Sequence, residues 1–594
     1  MGFEYALVHL KYTIPPAAAL TFLYRPLLTR IDIYRVAFLI TIAVVSTIPW
    51  DSYLIRRKIW TYPPSVIVGP RLFSIPAEEI FFFVVQTYNT SLLYLLLSKP
   101  TFHSAYLVPP KAKVRSIKWC QGLGQVLLAA CVLVGAYLIW RGNEGTYLGL
   151  ILAWAGPFAL LLWSLSSQLL VTLPITSTWA PILIPTVYLW IVDTLALRRG
   201  TWTIESGTKF GIHVWDGLEI EEAIFFLATN TLIVFGQVAF DHAVAIQLTL
   251  PRLYPHVSEL PSPTHLIQAL LASPAEYDED RVEAISQAVK RLQEKSRSFY
   301  LASSTFSGRL RIDLILLYSF CRVADDLVDN AKSESAARDW IRKLTRYLDL
   351  TCASEEAKIR SKQPDAHRYS TVNFPESARS ALHLLPTHLL SFGPLYDLLE
   401  GFKTDLGFHQ QPGSLMRTFP IATSQDLERY AARVAGTVAE LILELVFFHS
   451  SSSITDKRRG SLFRAGGNMG IALQYVNIAR DIATDAAIGR VYLPTSWLKE
   501  CGMVPQDVLE DPNHPKIDAL RSRLLDKAFA VYDQARVAMA QLPSDARSPM
   551  RVAVESYMEI GRVLREKGYK VKQGKATVSK LRRFQVAWKV MHEE

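Results

Sequence analysis

Up to residue 245 the chain reads as a series of apolar stretches, each near the ~20 residues a helix needs to cross a bilayer. They fall near 3–24, 33–50, 76–98, 117–140, 146–165, 169–192 and 221–240. The pattern predicts seven membrane helices, with six as the alternative, because Lys11, Pro15 and Pro16 interrupt the first stretch. That stretch lacks a cleavable signal pattern and is expected to be retained. Lys and Arg are shared almost equally between alternate connections, so charge asymmetry does not set an orientation. From 246 to 275 periodicity fades, and Pro251, Pro255, Pro261, Pro263 and Pro274 mark a linker. Beyond it, amphipathic stretches with few strand signals predict helices. The expected fold class is all-α: a polytopic membrane bundle over 1–245, a linker over 246–275 and a helical domain over 276–594. The polar runs 352–378 and 450–460 read as exposed loops. The basic tail 551–589 reads as solvated helical surface, with anionic-lipid contact as the alternative.

The membrane half repeats itself. DSYLIRRKIWT at Asp51–Thr61 matches DTLALRRGTWT at Asp193–Thr203, an offset of 193 − 51 = 142. Further on, Glu78-Glu79 and the aromatic residues after it match Glu221-Glu222 at an offset of 221 − 78 = 143. A three-helix unit duplicated around one extra helix, the stretch near 117–140, places both acidic pairs on one side of the membrane. Parallel repeats of this kind often hold a site at their interface. One glutamate at a helix start is accounted for by the helix dipole. Two adjacent glutamates, occurring twice beside a repeated Asp and Arg-Arg, are less well explained that way, and ionisable groups at membrane depth are by default functional. Glu78, Glu79, Glu221 and Glu222 are therefore candidate acids and bases. Phe81, Phe82, Phe83, Phe225 and Phe226 could shelter a carbocation by cation–π attraction or simply face lipid.

In the second half, Gln474–Asp485 (QYVNIARDIATD) has helix-forming composition without Pro or Gly. Residues four apart share a helix face, so Asn477, Asp481 and Asp485 form one polar stripe with Gln474 close by. A second stretch repeats the design, with Arg322, Asp325 and Asp329 at one-turn intervals. Carboxylate and amide oxygens suit hard cations such as Mg²⁺, which leave positions open for substrate phosphates. One DxxxD alone is readily a solvated helix face; two in one chain, each with an Arg, point to a diphosphate clamp.

Bulk properties narrow the choice only slightly. The chain has 594 residues, half of them hydrophobic, and a net charge of +10. No nucleic-acid motif accompanies that charge, which fits anionic lipid or diphosphate instead. Five scattered cysteines without CxxC spacing argue against a zinc site or disulfide framework. No G-x-G-x-x-G follows a predicted strand, so no dinucleotide is expected.

Five motifs, Ser296–Tyr300 (SRSFY), Cys321–Asp329, Tyr430–Gly436 (YAARVAG), Gln474–Asp485 and Gly489–Pro494 (GRVYLP), resemble in type and order those of squalene and phytoene synthases. With the membrane half added, the whole chain resembles the fungal bifunctional lycopene cyclase/phytoene synthases; Pro76-Ala77-Glu78-Glu79 matches their pattern, while Glu219-Ile220 replaces Pro-Ala in the second copy. The resemblance implies that Asp325, Asp329, Asp481 and Asp485, with Asn477, hold Mg²⁺ (Mn²⁺ as the alternative) on the diphosphates. Arg322, Arg480, Arg490 and Tyr492 would contact phosphate, with Gln474 beside the substrate. Tyr300 and Tyr430 would line the cavity or belong to the core. Two geranylgeranyl diphosphates would join head to head to give phytoene. In the membrane half a carboxylic acid would protonate lycopene and a base would complete a β-ring, with both Glu pairs favoured to share one site. The implied setting is a multi-pass protein of the endoplasmic reticulum or another internal membrane, its synthase domain facing the cytosol, in association with a phytoene desaturase. The alternatives are a membrane-anchored squalene synthase with a non-catalytic first half, and a transporter fused to a prenyl-binding domain.

Overall fold

The computed structural model describes residues 2–356, 363–408, 417–450, 455–566 and 578–593. The chain divides into two compact units, Met1–Glu283 and Ala284–Glu594. Both are built from helices; the only strands among the described residues are six pieces of two or three residues in the first unit.

The first unit runs α1 (Glu4–Val8), a π turn (His9–Thr13), α2 (Ile14–Tyr24), α3 (Arg30–Arg56), α4 (Ala77–Ser98), α5 (Val114–Arg141), α6 (Thr146–Thr172), the short α7 (Ile175–Thr178), α8 (Ala180–Arg198), α9 (Ile220–Thr249) and α10 (Pro263–Leu271). Among the described residues six helices are long and apolar enough to cross a membrane, the smaller of the two expected counts. The expected first span is the exception, and its prolines explain why. Pro16 has no N–H to give the carbonyl of Tyr12, four residues earlier. That carbonyl accepts the Tyr188 hydroxyl at 2.6 Å instead, and the chain widens into the π turn just before the two prolines. The expected break between 165 and 169 is also displaced: α6 continues to Thr172 and ends before Pro174.

The duplication is visible in three dimensions. Strand Trp60–Thr61 pairs antiparallel with strand Thr203–Ile204, Thr61 opposite Thr203. These two threonines are equivalent in the repeat, so the pairing places a pseudo-two-fold axis through them. Hairpins Arg71–Leu72/Ile75–Pro76 and His213–Trp215/Leu218–Glu219 are likewise equivalent. The Tyr5 N–H donates to Val66 O at 3.1 Å, and the Tyr147 N–H to Thr208 O at 2.9 Å, again at an offset of 142. The repeat therefore extends to the first residues of the chain, with α5 as the unpaired helix. That helix buries only Ile117 and Gly135, and leaves Trp119, Val126, Leu133 and Trp140 exposed, as a lipid-facing helix does. It packs on α6 at Gly135, where a Cβ would meet Ala153 N at 2.8 Å.

The Pro-rich segment is more than a tether. Ser262 caps α10, which buries Leu266 and Ala269, while Gln247 Nε2 donates to His265 O at 2.9 Å. In the second unit the run 352–378 is not a loop. Helix Glu334–Glu356 enters it, and Gln363–Asn373 and the start of Glu376–His383 lie inside it; 357–362 are outside the described residues. Its polar composition hid a buried stripe four residues apart: Ala366, Ser370, Phe374 and Ala378. Of 450–460, Ser450 caps the end of helix Thr437–His449, positions 451–454 are outside the described residues, and 455–460 cap and open helix Asp456–Ala487. The tail expected to be solvated begins in core, since helix Ser544–Leu564 buries Val552, Val554, Met558, Ile560 and Val563.

Candidate active sites

Two helices supply the acidic stripes of the second unit. Gly308–Asp329 buries Ile312, Phe320 and Ala324 on one side and turns Arg322, Asp325 and Asp329 toward a cavity of about 560 Å³. Asp456–Ala487 buries Tyr475, Val476, Ala479 and Ile482 and turns Gln474, Asn477 and Asp485 to the same cavity. The chamber below is apolar, with Phe306, Leu314, Val438, Ile442 and Leu473 on its wall. A charged mouth over an apolar chamber fits a molecule with an anionic head and a hydrocarbon chain.

The carboxylates are matched by guanidinium groups. Arg322 reaches Asp325 at 3.0 Å and Asp326 at 2.7 Å, and Arg490 reaches Asp329 at 2.7 Å. Arg480 holds Asp481 at 2.8 and 2.5 Å and Asn477 at 2.5 Å. Burial, then the neighbouring Asp329, pushes the Asp325 carboxyl up to about 7. Burial, then Asp481, pushes Asp485 up to about 8. Acids that resist ionising because they are buried and, secondly, crowd one another are relieved by a cation, so these oxygen donors fit Mg²⁺ or Mn²⁺. Among the described residues no three His, Cys, Asp or Glu side chains converge into a metal cage; the expected set is split between two helices. Mg²⁺ typically takes one or two carboxylates, with water and substrate phosphate completing its shell.

Some expected residues are placed differently. Asp481 and Arg480 engage each other and do not line the cavity, and neither does half-buried Tyr300, whose neighbour Phe299 does. Tyr492, expected on phosphate, gives its hydroxyl to Asp405 at 2.7 Å and stacks on Tyr430 with ring centroids 5.0 Å apart. Asp405 went unnoticed in the sequence. It is 4% exposed, lines the same cavity and is pushed up to about 6 by burial, against the pull of Arg490 and Tyr492. Its one signal is a lone acid among Phe402, Leu406 and Phe408. Tyr557, which donates to Asn477 at 2.9 Å, was hidden in the basic tail.

In the first unit the four glutamates separate into two kinds. Glu78 Oε1 accepts the N–H of Val68 and Glu221 Oε1 that of Phe210, both at 2.7 Å, so each ties a loop to the start of its helix. Glu79 and Glu222 instead line one small cavity of about 30 Å³, with Asp193, Trp60, Trp202, Phe82, Phe225 and Phe226 around it. The repeat thus brings its second glutamates together and leaves the first ones outside. Tyr5 donates to Glu79. Its equivalent Tyr147 donates to Glu222 at 2.5 Å. Each of these tyrosines packs against the tryptophan of the other copy: Tyr5 on Trp202 with centroids 5.1 Å apart, Tyr147 on Trp60 at 5.9 Å. Neither tyrosine was singled out from the sequence, because the equivalence begins before the stretch in which the repeat is legible.

Residues 292–582 match the squalene/phytoene synthase family. The chain is 58% identical over 599 residues to the bifunctional lycopene cyclase/phytoene synthase of Leptosphaeria maculans, and 55% identical over 595 residues to that of Pyrenophora tritici-repentis. Both alignments cover all of each chain. A crystal structure of a dehydrosqualene synthase is 24% identical, covering 53% of this chain and 97% of its own, with a TM-score of 0.41. The chain belongs to the bifunctional lycopene cyclase/phytoene synthase family.

Proposed function

We propose that the chain carries two catalysts of carotenoid biosynthesis. The unit Ala284–Glu594 condenses two geranylgeranyl diphosphates head to head to phytoene, releasing diphosphate. The unit Met1–Glu283 closes lycopene ends into β-rings, giving γ- and β-carotene without net redox change. The observation that carries the first activity is the pair of acidic helices at the mouth of one apolar chamber. The second rests on Glu79 and Glu222 meeting at one cavity across the pseudo-two-fold axis.

In the synthase, a divalent cation held through Asp325, Asp329, Asp485, Asp481 and Asn477 would supply Lewis-acid stabilisation of the leaving diphosphate. Arg322 and Arg490 present guanidinium groups to the phosphate oxygens, and Arg480 holds Asn477 and Asp481 in place. The apolar wall keeps water from the allylic cation while the second chain attacks. The cyclopropyl diphosphate formed ionises in turn, rearranges and loses a proton. In the cyclase, one carboxylic acid adds a proton to a terminal double bond, the cation closes a six-membered ring, and a carboxylate takes a ring proton. Phe82, Phe225 and Phe226 turn aromatic rings toward that cation.

The apolar helices support a bilayer location. An internal membrane such as the endoplasmic reticulum, with the synthase unit in the cytosol beside a phytoene desaturase, places product and next substrate in one hydrocarbon phase. Pigment analysis of a bacterium making geranylgeranyl diphosphate tests the whole reading. Phytoene is expected without a desaturase, and cyclised carotenes with one that yields lycopene. Squalene-type products, or lycopene left uncyclised, contradict it.

A further inference from the structure

The two glutamates at the cyclase cavity are equivalent in the repeat but not in their surroundings. Glu79 Oε2 accepts two tyrosine hydroxyls, from Tyr5 and, at 2.7 Å, from Tyr62. Glu222 Oε1 accepts one, from Tyr147. The residue equivalent to Tyr62, at 62 + 142 = 204, is Ile204. It is 4% exposed and packs in one cluster with Trp60, Tyr147, Phe225 and Phe226. Where the first copy offers its carboxyl a second hydroxyl, the second copy offers a hydrocarbon side chain.

This difference decides protonation. Hydrogen bonds donated to a carboxylate favour the ionised form, and two on one oxygen favour it more than one. A buried carboxyl with one hydroxyl donor and an apolar neighbour, its only other polar contact among the described residues being the Trp60 indole, is more stable as the neutral acid than one held by two hydroxyls. We infer that Glu222 is the proton donor and Glu79 the base of the cyclase, with Tyr62 the residue that separates their roles. The assignment rests on the proposed cyclase site. The Glu222 O–H proton passes to the terminal carbon–carbon double bond of lycopene. The π pair of the neighbouring double bond forms the ring C–C bond. Glu79 then takes a proton from the ring carbon, and that C–H pair becomes the β-ring double bond. No electron is gained or lost. Return of the proton from Glu79 to Glu222, across the cavity they share, resets the site.

The test follows deuterium. Membranes carrying the full chain are incubated with lycopene in D₂O, and the carotenes are read by mass spectrometry and chromatography. The unsubstituted protein should place one deuterium in each ring closed. Glu79→Gln should lose β-ring formation on the order of 100-fold or more yet still protonate. Deuterium then appears in recovered lycopene or in rings whose double bond is displaced from the β position. Glu222→Gln should return lycopene unlabelled. The reverse pattern, or unlabelled lycopene from both variants, overturns the division of roles while leaving the shared site standing. Wild-type β-ring formation by both variants overturns the carboxylate site itself. Tyr62→Phe is the milder check, keeping the ring that packs on Tyr5. It should raise the share of displaced-double-bond products, and an unchanged product ratio and rate count against the assignment.

Discussion

The two units solve opposite problems with the same side-chain chemistry. In the synthase unit two carboxylates at the cavity are met by guanidinium groups, Asp325 by Arg322 and Asp329 by Arg490, and Asp481 on the same helix as the cavity-lining Asp485 is met by Arg480. In the membrane unit Glu79 and Glu222 are met by the hydroxyls of Tyr5, Tyr62 and Tyr147. A diphosphate arrives with several negative charges, so its site needs fixed cations and carboxylates that will share a metal. A carotene brings no charge, and its site needs a proton that can leave and return; a neutral donor can hold a carboxyl in either state. The chambers differ in the same sense, about 560 Å³ with a charged mouth against about 30 Å³ walled by aromatic rings. On the proposed assignment, what a carboxyl is paired with, more than the carboxyl itself, separates metal-assisted ionisation from proton transfer.

The comparison breaks most sharply at the acidic helices. Asp325→Ala or Asp485→Ala should cut phytoene formation by on the order of 10²–10³-fold or more and leave lycopene cyclisation in the same membranes unchanged. Product analysis on one preparation reads both activities, and a parallel fall would mean that the sites are coupled. Next comes the division among the glutamates. Gln at position 79 should abolish β-ring formation, whereas Glu78→Gln retains a carbonyl oxygen for the Val68 N–H and should lower cyclisation only a few-fold. Equal losses would return Glu78 to the catalytic set. A smaller effect is expected at Tyr492→Phe, which leaves buried Asp405 one donor short. It should destabilise the synthase unit by about 1–3 kcal/mol, read by denaturant or thermal unfolding.

The smallest effect is a pH dependence away from both sites. His383 is held down to about 4, first by burial, then by His367 and Arg379; its ring stacks on His367 with centroids 4.0 Å apart. The unfolded chain, with a histidine near its ordinary ~6.5, binds a proton that the folded one refuses. Stability is therefore complete above about 6.5 and declines as pH falls toward 4. His383→Gln should flatten the loss in melting temperature between pH 7 and pH 5.

The helical class and both acidic motifs were legible because each rests on local spacing: one-turn intervals in Asp325–Asp329 and Asp481–Asp485, a fixed offset between Glu78-Glu79 and Glu221-Glu222. What spacing did not reveal lies at long range. Asp405 sits 87 residues from Tyr492, the side chain that holds it. Tyr5 precedes its partner Glu79 by 74 positions, and a single tyrosine in an apolar helix carries no pattern. The stripe Ala366, Ser370, Phe374, Ala378 was present but masked by charged neighbours. The first span failed because two adjacent prolines act through the hydrogen bonds they cannot make.

One measurement addresses the central claim directly. Membranes bearing the full chain, supplied with geranylgeranyl diphosphate and, in a parallel reaction, with lycopene, are titrated with EDTA and then with Mg²⁺. Carboxylates paired with guanidinium groups around a diphosphate predict that phytoene formation is lost and then restored. Carboxyls paired with tyrosine hydroxyls predict that β-ring formation is unchanged throughout. Loss of both activities together, or full phytoene formation in EDTA, would contradict the account.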